Sequence, residues 1–257
     1  MVEVTIRTAL QNSMNVPSIK VLQAVGRQRT ISYARSLGIK SDLRDELGLA
    51  LGSSCIKMAE LVDAYSVFAS GGKRIKRRFI TRVIARDGKL LYDNGWPKDP
   101  WAGVALKVER AVAETENEVE QVIDRGNAFV ITKMMRNVVT GGTGTGAQKV
   151  GVPVAGKTGT TNDSFDAWFS GFTPNIVTSA WVGYDDYVLP MGKYEQGGRA
   201  ALPIWVDYMK DAVKKQKAEF EPPPEVVFIR IDPKTGQRAR GDTIGSVREA
   251  FVKGTAP

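Results

Sequence analysis

The 257 residues contain no histidine and one cysteine, Cys55. Without histidine there is no Ser-His-Asp triad, no Cys-His pair, no His-ligated zinc and no imidazole base. With one cysteine no internal disulfide can form. No apolar run approaches the 18 or so residues that a membrane-spanning helix needs, and Met1-Val2-Glu3 opens no signal peptide, so no targeting signal is read here. Acid–base chemistry must then rest on Lys, Asp, Glu, Tyr or a relay through hydroxyls. What remains is an ordinary globular composition, 42% apolar and 25% charged, with a net charge of 36 − 28 = +8. That excess favours anionic surroundings but names no partner; no nucleic acid, cofactor or metal is expected.

Hydrophobic spacing predicts short helices first. Thr5 to Leu10 is amphipathic, and Asn12-Ser13-Met14-Asn15 competes for backbone hydrogen bonds, marking a turn or helix end. Pro17 suits a first helical position in a helix that stops at Gly26. Thr30 is the expected cap of a next helix ending at Gly38. Met58, Leu61, Val62, Tyr65, Phe68 and Ala69 give the strongest helical period, closed by Gly71-Gly72. Arg78 to Ala85 and Leu90 to Tyr92 read as a hairpin about Asp87-Gly88, residues 94–125 as loop plus a short helix, and Phe129 to Val138 as a helix. Three strands follow, Val152 to Thr160, Ala167 to Phe172 and Ile176 to Tyr184, antiparallel because their links are short. Residues 199–216 read as a helix with Ala201, Ile204, Trp205, Tyr208 and Ala212 on one stripe. Pro222-Pro223-Pro224 precedes a tail with a hairpin, Val226 to Ile231, turning at Asp232 to Gly236. The layout is α+β, an antiparallel sheet flanked by helices. Lys73 to Arg78, five of six basic, read as a solvated face. Trp168, Phe169, Trp181 and Trp205 read as core aromatics, and Cys55 as a small buried residue.

Two readings compete for one segment. Gly151 to Thr158 fits the phosphate-loop pattern G-x-x-x-x-G-K-[ST]. That motif needs a strand before it and a helix after it; Gly- and Thr-rich residues precede it, and Gly159-Thr160-Thr161-Asn162-Asp163 are poor helix formers. The other reading takes Lys157-Thr158-Gly159-Thr160 as an edge strand lining a cleft. Lys157 offers a cation to a carboxylate, Thr158 and Thr160 offer hydroxyls, and Gly159 lets a ligand approach the backbone. Ser13-Met14-Asn15 adds a hydroxyl and an amide two residues apart.

Together with Thr5 to Leu10, Leu49 to Ser54, Met58-Ala59-Glu60, Gly142-Thr143-Gly144, Ala155 to Thr161, Asp166-Ala167-Trp168-Phe169 and Trp181 to Asp185, these residues resemble the transpeptidase domain of class A, bifunctional penicillin-binding proteins. The resemblance implies the penicillin-binding/β-lactamase-like fold, N-terminally truncated, with residues 1–217 as the C-terminal portion of the transpeptidase domain and 218–257 as a Pro-rich extension. It implies acyl transfer without histidine. A serine attacks the D-Ala-D-Ala bond of a peptidoglycan stem peptide, a neighbouring amine completes the crosslink, and β-lactams acylate the same serine.

By resemblance Ser13 relays a proton, Asn15 binds the substrate's peptide, and Lys157 keeps the site cationic and orients Ser13. Thr158 and Thr160, flanking Gly159, bind the terminal carboxylate, and the Thr160 N–H is one oxyanion donor. The family's nucleophile lies in S-x-x-K, ahead of S-x-N, and no such motif precedes Ser13. Ser54-Cys55-Ile56-Lys57 has the letters but the wrong order, and Ser54 reads instead as a helix cap. The chain alone is therefore expected to be inactive. An upstream fragment carrying S-x-x-K and the glycosyltransferase domain is the expected complement, from a membrane-anchored parent on the outer, periplasmic face of the cytoplasmic membrane. The alternatives are a nucleotide-binding protein using Gly151 to Thr158, or a non-catalytic fragment that completes a partner chain.

Overall fold

Residues 4–80, 82–93, 120–186, 188–214, 219–241 and 243–257 are described in the structure, a computed structural model. The chain divides into two units, Met1–Arg74 with Gln121–Pro257, and Ile75–Glu120. In the second unit β1 (Arg82–Ile84) pairs antiparallel with β2 (Leu90–Asp93). Their turn closes through Gly88 N–H to Ala85 O at 2.9 Å, as Asp87-Gly88 predicted, though the first strand is shorter than Arg78 to Ala85. The loop and short helix expected over 94–125 lie outside the described residues up to 119.

The larger unit begins with α1 (Ile6–Gln11), whose N-terminal amide at Thr8 is capped by the Thr5 hydroxyl at 3.3 Å. Next come α2 (Asn15–Val25) and α3 (Arg27–Ser36), divided by Gly26 at φ 93°, a left-handed value that favours glycine. Pro17 is the third residue of α2, not the first. Thr30 caps nothing: it lies inside α3 and its hydroxyl donates back to Gly26 O at 2.9 Å. The period over 58–69 is α4 (Met58–Ala69), ended at Gly71 and Gly72 with φ of 68° and 92°. Its Glu60, buried, accepts from Lys40 N–H, Ser41 N–H and the Ser41 hydroxyl at 2.8 to 2.9 Å. Those three bonds hold the chain after α3 onto α4. Ser54 is not the cap of α4, since Lys57 occupies that position; the Ser54 hydroxyl instead accepts from Arg44 N–H at 3.0 Å.

Helix α5 (Arg125–Gly141) is capped by Asp124 and leads to a 3-10 turn over Thr145–Val150. The sheet then runs β3 (Ala155–Thr160), β4 (Asp166–Phe172) and β5 (Val177–Gly183), antiparallel in that order, so β3 is an edge. Helix α6 (Ala201–Ala212) covers one face. Trp205, 1% exposed, meets fully buried Phe169 with ring centroids 4.9 Å apart and donates from its indole to Thr178 O at 3.1 Å. Burying side chains of this size stabilises by about 1.5–3 kcal/mol each. The stripe is not the one expected. Ala201, Leu202, Trp205, Val206 and Met209 face inward, while Ile204 and Tyr208 are 56% and 60% exposed. Asp207, Lys210 and Asp211 are exposed on the side that carries Ile204 and Tyr208, so the charged residues mark the outward face.

In the tail the Asp232 to Gly236 turn forms, with Gly236 N–H donating to Asp232 O at 2.8 Å. The full partner of β6 (Val226–Ile231) is β7 (Val247–Val252), further along the chain. Phe228 of β6 packs edge-on against Phe129 of α5.

Candidate active site

In the ladder between β3 and β4, Lys157 lies opposite Ser170 and Gly159 opposite Trp168, while Thr158 and Thr160 lie opposite Phe169 and Ala167. Paired residues share a face, so the lysine and the two threonines leave the strand on opposite sides. Thr161 N–H donates across the ladder to Asp166 O. Amides alternate in direction along an antiparallel strand, so Thr160 turns its N–H to the open edge. A side chain at Gly159 would crowd Trp168, with an ideal Cβ 3.2 Å from the Trp168 Cβ.

Lys157 Nζ donates to Ser13 Oγ at 2.7 Å and to Thr158 O at 2.9 Å. The turn after α1 delivers Ser13 there: Ser13 N–H donates to Leu10 O, Met14 N–H donates to Ala9 O, and Ser13 itself takes φ 54°. A non-glycine residue in that region carries some backbone strain, a feature that clusters at functional sites. Asn15, two residues on, starts α2 and is exposed. Burial pushes the Lys157 ammonium down to about 8 because desolvation penalises the charged form.

The edge of β3 holds two partners that the sequence did not single out as site residues. The Thr143 hydroxyl meets the Thr158 hydroxyl at 2.6 Å, and Gly197 N–H donates to the Thr160 hydroxyl at 3.0 Å. The sequence offers Gly142-Thr143-Gly144 only as one of the segments that carry the resemblance. A Cβ at Gly142 would sit 2.2 Å from Gln11 O, so glycine is what lets α1 approach this loop.

Lys157 also lines a cleft of about 650 Å³ whose walls include Ser54, Cys55, Tyr65, Trp168 and Trp181. Trp168 and Trp181 are therefore not core aromatics. They are partly exposed, and the Trp181 indole donates to buried Asp166 at 2.6 Å. Cys55 is exposed, not buried, because it sits on the segment leading into α4 rather than inside the helix. Burial raises the Tyr65 phenol to about 12.

The nucleotide reading of Gly151 to Thr158 fails on backbone geometry. Ala155 to Thr160 is strand and a 3-10 turn over Asn162–Ser164 follows, so the lysine does not open the α-helix that a phosphate loop requires. No cluster able to hold a metal ion occurs among the described residues, and none of their helices is long and apolar enough to cross a membrane.

Comparisons with known proteins agree with this geometry. The family model described as "Penicillin binding protein transpeptidase domain" matches residues 2–210. Penicillin-binding protein 1A of Pseudomonas aeruginosa is 38% identical over 99% of the chain and 35% of its own length. The protein of that name from Aquifex aeolicus is 37% identical over 99% of the chain and 32% of its own length. The crystal structure of penicillin-binding protein 1A from Haemophilus influenzae superposes with a TM-score of 0.84 at 30% identity, covering 99% of this chain and 40% of that one. The chain thus spans about a third of the length of the curated relatives it matches.

Proposed function

The chain belongs to the penicillin-binding protein transpeptidase family, and from that membership we propose that it forms the C-terminal portion of a peptidoglycan D,D-transpeptidase of the penicillin-binding protein 1A kind. Residues 1–217 are the transpeptidase portion in this reading, and 218–257 an extension. The observation that carries it is the 2.7 Å contact between Lys157 Nζ and Ser13 Oγ. It supports one crevice shared by the S-x-N and K-T-G elements.

In the reaction, a serine oxygen bonds to the carbonyl carbon of the D-Ala-D-Ala peptide bond and its proton passes to the lysine–hydroxyl relay. The C–N bond breaks, and the terminal D-Ala leaves with a proton returned to its amine. The amine of a second stem peptide then bonds to the acyl carbon, its proton passes through the relay to the serine oxygen as the acyl–oxygen bond breaks, and the crosslink forms. A β-lactam acylates the same serine as its ring opens. Ser13 relays the proton, and Lys157 holds Ser13 and supplies the positive field. Asn15 binds the peptide of the substrate. Thr158 and Thr160 take the terminal carboxylate. The Thr160 N–H, turned to the open edge, serves as one oxyanion donor, a contribution of about 3–4 kcal/mol where such donors have been removed.

These 257 residues hold no Ser-x-x-Lys ahead of Ser13. The nucleophile in this reading comes from polypeptide outside them, and residues 1–257 alone form no acyl-enzyme. The parent protein is membrane-anchored and works on the outer face of the cytoplasmic membrane. Labelling of the native protein with fluorescent penicillin tests the reading. Ser13→Ala is expected to slow labelling by about 10²–10⁴-fold, the usual worth of a positioned proton-transfer group; unchanged labelling would refute the role.

A further inference from the structure

We propose that Glu249, in the C-terminal hairpin, is a positioning residue for Ser13, acting through Arg7 and helix α1. This rests on the transpeptidase reading and adds a residue far from the cleft in sequence. Glu249 is buried in β7, and its Oε2 lies 2.6 Å from Arg7 Nε. The N–H of that Nε is not aligned on an acceptor, so the contact is an ion pair rather than a directed hydrogen bond. The other carboxylate oxygen of Glu249 accepts from Ala250 N–H at 3.1 Å, which fixes the carboxylate on its own strand. Lys133, whose proton affinity is lowered first by burial, feels the charges of Arg136, Glu249, Arg7 and Arg248, and Glu249 is the acid among them.

Arg7 stands in the first turn of α1, a helix of six residues. A helix so short does not hold its shape unaided, and contacts at both ends hold this one. At its start, Gly236 of the tail turn lies against Thr5, with an ideal Cβ 3.3 Å from the Thr5 methyl, and Glu249 pairs with Arg7. At its end, the Gln11 amide donates to Gly141 O at 2.9 Å and Gln11 O accepts from Thr143 N–H at 3.3 Å. Ser13 follows directly, its amide bonded to Leu10 O. The hydroxyl reaches Lys157 only if α1 keeps its rotation and height, and Glu249 is the charged contact that sets both at the first turn.

The test uses the native full-length protein, with whatever polypeptide supplies the nucleophile, and fluorescent penicillin as the probe. Arg7→Gln with Glu249→Gln removes both charges together, so no buried ion is left unpaired. The double variant is expected to fold, to keep the concentration dependence of penicillin binding within about twofold, and to lose about tenfold in the acylation step. In a Ser13→Ala background the same double change is expected to cost less than twofold, because a positioning role vanishes with the group it positions. Equal acylation steps in wild type and double variant overturn the inference and leave the transpeptidase reading standing, as does an undiminished loss in the Ser13→Ala background. Absence of wild-type labelling overturns both. If the double variant does not fold, Glu249→Asp, which keeps the charge at shorter reach, replaces it under the same two criteria.

Discussion

Lys157 Nζ and Ser13 Oγ are 2.7 Å apart although 144 positions separate them in the chain. The strand that carries the lysine and the turn that carries the serine are tied by Thr143, whose N–H donates to Gln11 O and whose hydroxyl meets that of Thr158. One is an edge of the sheet and the other is the end of a six-residue helix. The contact joins two short motifs into one polar site with a cation whose proton affinity burial has reduced.

That reduced affinity gives a pH dependence with a definite sign. Lys157 titrates at about 8 folded and near 10.4 unfolded. Between those values the unfolded state holds more protons, so stability rises with pH. Below about 8 both states are protonated and this slope vanishes. Urea unfolding at pH 7 to 10.5 should show wild type gaining on Lys157→Met only above pH 8. Binding of a carboxylate ligand should weaken over the same range as the ammonium is lost. A gain below pH 8, or none above it, contradicts the assignment.

The Thr143 hydroxyl meets the Thr158 hydroxyl at 2.6 Å, and on the proposed role of Thr158 this puts Thr143 beside the carboxylate subsite. Thr143→Val keeps the shape and removes the hydroxyl. It should weaken a carboxylate-bearing β-lactam about fivefold, the worth of about 1 kcal/mol for one hydrogen bond, with an unchanged melting temperature. Titration of the initial binding step measures this; a change below twofold would exclude Thr143 from the subsite.

Glu60 supports the fold rather than the chemistry. Glu60→Ala leaves the Lys40 and Ser41 amides without their acceptor and should destabilise by about 1–3 kcal/mol. The hydrogen bonds from Ser41, backbone first, hold the Glu60 carboxyl below its ordinary value. Its stabilisation is therefore complete above the unfolded value of about 4.3 and is lost as pH falls through the lower folded one. Denaturant midpoints for wild type and variant should converge in acid. A constant gap down to pH 2 would show that the carboxylate charge is not what stabilises.

Much of the fold was legible because its signals are local. Gly71-Gly72, Asp87-Gly88 and Thr173-Pro174-Asn175 all end or turn the chain where the residues indicate. The misreadings have separate causes. Thr30 and Ser54 are cap-forming residues, but their hydroxyls take Gly26 O and Arg44 N–H instead. Ile204 and Tyr208 are apolar enough for a core, yet they share their side of α6 with exposed Asp207 and Asp211, while Trp205 on the other side packs on Phe169. The long partner of β6 is hidden behind a local turn that forms as expected. At the site, Ser13, Lys157, Thr158 and Thr160 were nameable from motif and resemblance. Thr143, Gly197 and the cleft-lining role of Trp168 and Trp181 depend on tertiary placement that no spacing encodes.

Which residue carries a covalent penicilloyl group decides where the nucleophile lies. Native protein is labelled with penicillin, digested and mapped by mass spectrometry. The adduct is expected on a serine of an S-x-x-K sequence outside residues 1–257, with none on these residues when they are expressed alone. An adduct on Ser13 or Ser54 would contradict that placement.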